Sequence, residues 1–100
     1  MKTTIAVAAI VTSLCTPSSP YAADPQLGRN LAATCANCHG TDGRSVGGID
    51  SLAGQPKDTL VRKMTEFRNG SRPTTIMHQI AKGYTEQQID LIAAYFAARQ

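Results

Sequence analysis

The stretch CANCHG at residues 35–40 dominates the interpretation of this 100-residue chain. Two cysteines three positions apart, with a histidine directly behind them, form the C-x-x-C-H signature of covalent c-type haem attachment. The thiols of Cys35 and Cys38 can each add to one vinyl group of the porphyrin, and His39 then comes to lie under the iron as its proximal ligand. The motif therefore predicts one covalently bound haem c, with Cys35, Cys38 and His39 as cofactor-binding residues.

Other chemistries for the cysteine pair are less consistent with the sequence. A thioredoxin-like redox centre requires a βαβ context, and no segment shows the alternation typical of strands. A zinc site built from Cys35, Cys38, His39 and His78 would need two adjacent residues to bind one tetrahedral ion, which is poor geometry. A simple disulfide between the two cysteines is the third alternative.

A second iron ligand is predicted at Met77, which we expect in a loop after Pro73, free of helical constraint. Three alternatives stay open: His78, an open sixth position, and Met64, whose place on an apolar helical stripe favours core packing. A thioether opposite His39 stabilises ferrous iron and raises the reduction potential. With His39 and Met77 as metal ligands, both axial positions are filled, which favours electron transfer over substrate chemistry.

The first 23 residues have the layout of a secretory signal peptide. Lys2 provides a positive start, residues 5–14 form an apolar run, and small residues precede the expected cleavage after Ala23, with Ala22 as the alternative. The run is too short to span a bilayer, so we expect an exported, periplasmic protein with no membrane span. Cleavage after residue 23 of the 100 would leave a domain of 77 residues (24–100), a length that usually needs a cofactor or cross-links for stability.

Three main helices are predicted in residues 24–100, and the fold class is all-α. The first begins at Asp24-Pro25 and continues toward Cys35; the second begins at Pro56 and ends at Asn69-Gly70. A loop with five of the eight glycines separates them at 40–54. Residues 76–82 form at most a brief helical turn before Gly83.

The last predicted helix has the clearest signals. Thr85 and Gln88 match a capping box at its start. Its apolar face repeats at helical spacing, with Leu91 and Tyr95 beside it, and consists of Ile89, Ile92, Ala93 and Phe96.

Composition excludes several functional classes. Ten Lys and Arg against seven Asp and Glu give a net charge of +3, but no basic run is longer than Arg62-Lys63, so no nucleic-acid-binding stripe is predicted. A 42% hydrophobic content and this length exclude a disordered chain and a multidomain enzyme. Seven basic residues are either a solvated surface or a ring that steers an acidic partner: Arg44, Lys57, Arg62, Lys63, Arg68, Arg72 and Lys82.

The whole mature chain resembles a class I c-type cytochrome. The resemblance is carried by the Gly28-to-Leu31 spacing, the C-x-x-C-H-G motif, a methionine in the second half and the ending AAYF at 93–96. It implies three main helices wrapped around one haem. It also implies that the first and last helices cross near Gly28, with Leu31, Ile92 and Tyr95 or Phe96 packed at the crossing.

Further segments are similar to the haem subunit of flavocytochrome c sulfide dehydrogenase: LAGQ at 52–55, FRNGSR at 67–72, and TIM at 75–77 through AKGYT at 81–85. That resemblance implies an electron acceptor for an FAD-containing flavoprotein subunit that oxidises sulfide, with no catalytic residues of its own. The same segments resemble small free-standing cytochromes and halves of dihaem ones, so a diffusible carrier stays open as the alternative.

One position departs from the family pattern. A proline usually precedes the Ser-Leu-Ala-Gly stretch, and its carbonyl accepts a hydrogen bond from the proximal histidine. This chain has Asp50 there. A backbone carbonyl is still available, but the geometry of the bond cannot be predicted from the sequence.

Overall fold

The computed structural model describes residues 26–73 and 76–100, and every regular element in these segments is helical. The predicted all-α fold is confirmed. The predicted leader at 1–23 and the helix start at Asp24-Pro25 lie outside the described residues. Five α-helices and two 3₁₀ turns follow one another along the chain: α1 (Leu27–Ala32), a turn at Ala33–Cys35, α2 (Ala36–His39), a turn at Thr41–Gly43, α3 (Lys57–Asn69), α4 (Ile76–Ala81) and α5 (Glu86–Ala97).

The first predicted helix is divided into three short pieces. α1 passes into the 3₁₀ turn at Ala33–Cys35 and then into α2, with right-handed helical backbone at both joints. The chain leaves α2 at Gly40, whose φ of 84° is accessible mainly to glycine. The C-x-x-C-H motif therefore lies at the end of a helical path, and His39 is its last residue.

α3 has the boundaries that the sequence predicts. Pro56 precedes its first residue, and Gly70 ends it in the left-handed conformation with φ of 80°. Leu60 is buried on its inner face.

α4 corrects the placement of Met77. The sequence favours a loop for this residue, but Met77 is the second residue of the six-residue α4. The helix ends one residue before Lys82, in agreement with the brief turn expected at 76–82. Met77 is thus held by a helix that packs against α3.

α5 forms the framework of the core. Thr85 Oγ1 accepts the Gln88 backbone N–H at 3.1 Å and Gln88 Oε1 accepts the Thr85 backbone N–H at 2.9 Å, which confirms the capping box. All four residues of the predicted apolar face are buried, and Leu91 and Tyr95 flank them half-buried. α1 and α3 both pack on this helix.

Gly28 allows α1 and α5 to approach closely. A Cβ at this position would lie 3.0 Å from the Leu91 carbonyl oxygen and 3.7 Å from Tyr95 Cβ. The core beneath the crossing includes Ala32, Ile92 and Phe96, with Leu31 and Tyr95 partly buried against it. The crossing implied by the family resemblance is present.

The glycine-rich segment 40–54 is mostly irregular, apart from the turn at Thr41–Gly43 that the sequence did not predict. The Gly43 carbonyl accepts backbone N–H groups of Leu52 and Ala53 at 2.8 and 3.1 Å, and Gly54 N–H donates to Phe96 at 3.0 Å. These bonds draw residues 52–54 back against α5 and fix the segment that faces His39.

No helix within 26–73 or 76–100 combines the length and apolar character needed to cross a membrane.

Candidate cofactor site

A cavity of about 700 Å³ lies between the C-x-x-C-H segment, α3, α4 and α5. Its volume falls within the roughly 300–1,000 Å³ typical of ligand cavities. Cys35, Cys38 and His39 all line it. Its walls are largely apolar and include Leu52, Leu60, Phe67, Ile92 and Phe96. The structure thus brings the three motif residues to one apolar cavity.

His39 is oriented by the backbone carbonyl of Asp50, the residue that departs from the family pattern. His39 Nδ1 lies 2.6 Å from the Asp50 carbonyl oxygen. A carbonyl can only accept, so Nδ1 carries the proton and, in the neutral ring, Nε2 keeps its lone pair. The aspartate therefore does not prevent the bond, because the acceptor belongs to the main chain. Nε2 is the nitrogen available as a metal ligand.

The two cysteines are free thiols in the structure, not a disulfide. Burial raises the pKa of the half-buried Cys35 thiol, and a hydrogen bond with Thr34 partly opposes this. Within the described segments, no three His, Cys, Asp or Glu side chains converge to hold a metal ion. This geometry gives the zinc alternative no support.

Two methionines line the cavity, Met64 from α3 and Met77 from α4. The lining of the cavity therefore does not distinguish between them as the second ligand. His78 does not line the cavity within the described chain, and its Nδ1 lies 2.6 Å from the Phe67 carbonyl oxygen. This placement favours a methionine over His78.

Three polar side chains on the cavity wall were not individually assigned to the site from the sequence, although Lys63 was among the seven basic residues named there. Tyr84 lines the cavity and its hydroxyl lies 2.7 Å from Thr34 Oγ1, tying the segment after α4 to the 3₁₀ turn before α2. Lys63 and Gln55 also line it, and Lys63 Nζ donates to Gln55 Oε1 at 3.2 Å. The family resemblance of the LAGQ segment at 52–55 drew attention to Gln55. No pattern in the sequence indicated that Lys63 is its hydrogen-bond partner.

Several of the basic residues have anionic partners within the described chain. Lys57 pairs with Asp90 at 2.8 Å, and Arg68 lies 4.0 Å from Glu86. Arg72 lines the cavity and donates to Glu66 through Nε and Nη2 at 2.9 and 2.7 Å. Surface pairs of this kind contribute little to stability, but each places a carboxylate beside a basic side chain.

The residues present fit a covalently attached haem. The donor set comprises two thiols, an imidazole whose Nε2 is left free by the Nδ1 contact, and thioether sulfurs, and all of them border one apolar cavity. Thiols form thioethers, while imidazole and thioether are the axial ligands of electron-transfer haem proteins.

Comparisons with known proteins agree with this fit. The family model described as cytochrome c matches residues 25–99. The chain is 46% identical over 69 residues to the cytochrome subunit of sulfide dehydrogenase from Chlorobaculum tepidum, covering 69% of this chain and 63% of that protein. It is 42% identical over 64 residues to cytochrome c-552 of Acidithiobacillus ferridurans, covering 64% and 28%. The matches thus span less than two thirds of these two relatives.

Two further proteins resemble this chain, one along its own whole length and one in its fold. Cytochrome c-554(548) of Halomonas halodenitrificans is 32% identical over 83 residues, which are 79% of this chain and all of that protein. The solved structure of cytochrome c4 from Acidithiobacillus ferrooxidans superposes with a TM-score of 0.66 at 34% identity, covering 71% of this chain and 48% of that one.

Proposed function

This chain belongs to the cytochrome c family, and on that premise we propose that it is the electron-accepting subunit of a sulfide-oxidising flavoprotein complex. Membership in the family means that it binds haem c and carries electrons as a monohaem-type cytochrome. Its fold is that of a class I cytochrome c. The partner, the compartment and the individual ligands are the proposal.

We assign the tethering of the haem to Cys35 and Cys38, through one thioether each. His39 Nε2 would bind the iron, with the ring oriented by the Nδ1 bond to the Asp50 carbonyl. The chemistry supplied by the group is reversible one-electron transfer between ferrous and ferric iron. The apolar walls at Leu60, Ile92 and Phe96 would limit the contact of a bound haem with water, which would disfavour the extra charge of the ferric state.

Met77 is assigned as the second axial ligand. It projects from a short helix on the cavity wall, in a segment that follows the long α3. Met64 lies within α3, four residues after the buried Leu60, where side chains of this spacing commonly serve packing. With His39 and Met77 both binding the iron, no position would be left there for a substrate.

One observation carries the choice of partner: the 46% identity to the cytochrome subunit of sulfide dehydrogenase. In such a complex the flavoprotein removes electrons from sulfide and passes them singly to this chain. Export to the periplasm, directed by a signal peptide at residues 1–23, is part of the proposal.

The test is an affinity purification of the exported protein under mild conditions, followed by an absorption spectrum of everything retained. We expect haem bands together with flavin bands, and reduction of both on addition of sulfide. Haem bands alone, from a preparation without a retained partner, would contradict the sulfide-oxidising complex and leave the electron carrier.

A diffusible carrier is the second candidate, because cytochrome c-554(548) is matched along its whole length. A stable 1:1 complex with a flavoprotein on gel filtration would reject this candidate. A monomer that exchanges electrons with several partners would favour it.

A further inference from the structure

Lys63 is a cation on the wall of an apolar cavity with only a neutral partner in the described chain. Its half-buried side chain lines the cavity, and Nζ donates to Gln55 Oε1 at 3.2 Å. No carboxylate of residues 26–73 or 76–100 lies within 4.0 Å of this nitrogen. A half-buried charge without a counter-ion is unfavourable, so a bound group that brings an anion would stabilise it.

Arg72, the other cation on the cavity wall, has an anionic partner within the protein. Arg72 also lines the cavity, but the Glu66 carboxylate accepts two of its N–H groups. On α3, Lys57 is paired with Asp90 and faces another part of the molecule. Lys63 is thus the cavity-wall cation whose charge the described protein leaves uncompensated.

Gln55 holds Lys63 in place without neutralising it. Gln55 Nε2 donates to the Ser51 carbonyl at 2.5 Å, which fixes the amide so that its oxygen is turned to Lys63. An ammonium group has three N–H donors, so this contact leaves two for another acceptor. The same contacts brace residue 51, next to the Asp50 carbonyl that orients His39.

We propose that Lys63 binds a propionate carboxylate of the haem and thereby raises the reduction potential of this protein. A carboxylate is the anionic group that haem carries, and a charge-assisted hydrogen bond to an ammonium satisfies both partners. Reduction adds a negative charge to the centre, so a positive charge beside it stabilises the ferrous form. The inference rests on haem binding and is independent of the flavoprotein partner.

The test is the reduction potential of the isolated holoprotein, measured for wild type and four variants. Lys63→Gln should shift the ferrous-to-ferric ratio at a fixed potential toward ferric on the order of tenfold, equivalent to about 59 mV for a one-electron couple. Lys63→Arg should keep the wild-type potential. Lys57→Gln, which removes a charge from the same helix but not from the cavity wall, should also keep it.

Gln55→Ala separates the charge of Lys63 from the bracing by Gln55, because it removes the hydrogen bonds to both Ser51 and Lys63 but leaves the ammonium. We expect it to change the ratio less than twofold. An unchanged potential in Lys63→Gln would overturn the proposal. An equal fall in Lys63→Gln, Lys63→Arg and Gln55→Ala would overturn it as well, since bracing alone would then explain the effect.

Lys63→Ala provides a second neutral variant if Lys63→Gln does not mature. Loss of holoprotein in both neutral variants, with full yield of Lys63→Arg, would support the need for a cation at this wall. Failure of the wild type to carry haem would instead reject the electron-carrier function itself, which keeps the two failures distinguishable.

Discussion

At the scale of single residues, the orientation of His39 depends on a main-chain atom. Its Nδ1 donates to the Asp50 carbonyl at 2.6 Å, so the side chain at position 50 is free to vary. This explains how the chain tolerates an aspartate where the family usually has proline. The sequence predicted the histidine, but the survival of the bond required the structure.

Met77 carries the first prediction at this scale. Met77→Ala should yield a haem protein whose sixth position is open, so that the reduced variant binds carbon monoxide at neutral pH. Met64→Ala is the matched control, because it removes the other cavity-wall thioether. It should lose stability by about 2 kcal/mol or more from the smaller side chain but bind no carbon monoxide. Optical titration with carbon monoxide distinguishes the two variants. Carbon monoxide binding by Met64→Ala and not by Met77→Ala would make Met64 the ligand.

Tyr95 carries a prediction of pH dependence. Its hydroxyl donates to Asp42 Oδ1, and this hydrogen bond, followed by burial and the Asp42 charge, raises the pKa of Tyr95 above its usual value near 10. The folded state therefore binds this proton more tightly than the unfolded state does. The resulting stability is complete below about pH 10 and is lost as the pH rises through the raised pKa.

Tyr95→Phe should lower the free energy of unfolding by about 1 kcal/mol at pH 7, since the side chain is only partly buried. The difference from wild type should shrink above pH 10. Denaturant unfolding at pH 7 and in alkaline buffer measures both values. A difference that stays constant into strong alkali would show that the Asp42 bond is not its source.

At the scale of the elements, Gly28 is the position on which the α1–α5 crossing depends. Gly28→Leu should lower the free energy of unfolding by roughly 1–3 kcal/mol, because its Cβ would meet the Leu91 carbonyl at 3.0 Å. Gly47→Ala is the control, since a Cβ there meets nothing within 4 Å. Thermal unfolding of the holoproteins measures both. Equal stability of the two variants would reject the close crossing.

The helices whose ends carry recognisable start or stop residues were predicted well from the sequence. α3 lies between Pro56 and Gly70, and α5 begins at the Thr85–Gln88 capping box, as local chemistry requires. α4 has six residues and no strong start signal. The helical structure that holds Met77 therefore depends on packing against α3. The Lys63–Gln55 contact joins different segments of the chain, and no local pattern encodes it.

At the scale of the whole molecule, the buried core of the described protein is small. The described residues include seven buried hydrophobic ones, of which only Leu60, Ile89, Ile92 and Phe96 are larger than alanine. A domain of 77 residues, the length expected if the leader ends at residue 23, seldom holds together without cross-links or a cofactor. The haem cavity lies beside this core, with Leu60, Ile92 and Phe96 shared between them.

Folding should therefore depend on haem attachment. A Cys35→Ala/Cys38→Ala double variant should carry no covalent haem and show no cooperative thermal transition by circular dichroism. The single variant Cys38→Ala, which keeps one thioether, should fold in reduced yield. A cooperative transition in the haem-free double variant would show that the protein core suffices.

The measurement that bears most directly on the account is the absorption spectrum of the reduced wild-type protein before and after carbon monoxide at neutral pH. A centre held by His39 and Met77, built only for electron transfer, predicts an unchanged spectrum. Rapid binding of carbon monoxide would mean an open sixth position. That result would contradict the electron carrier and point to a haem enzyme or gas sensor.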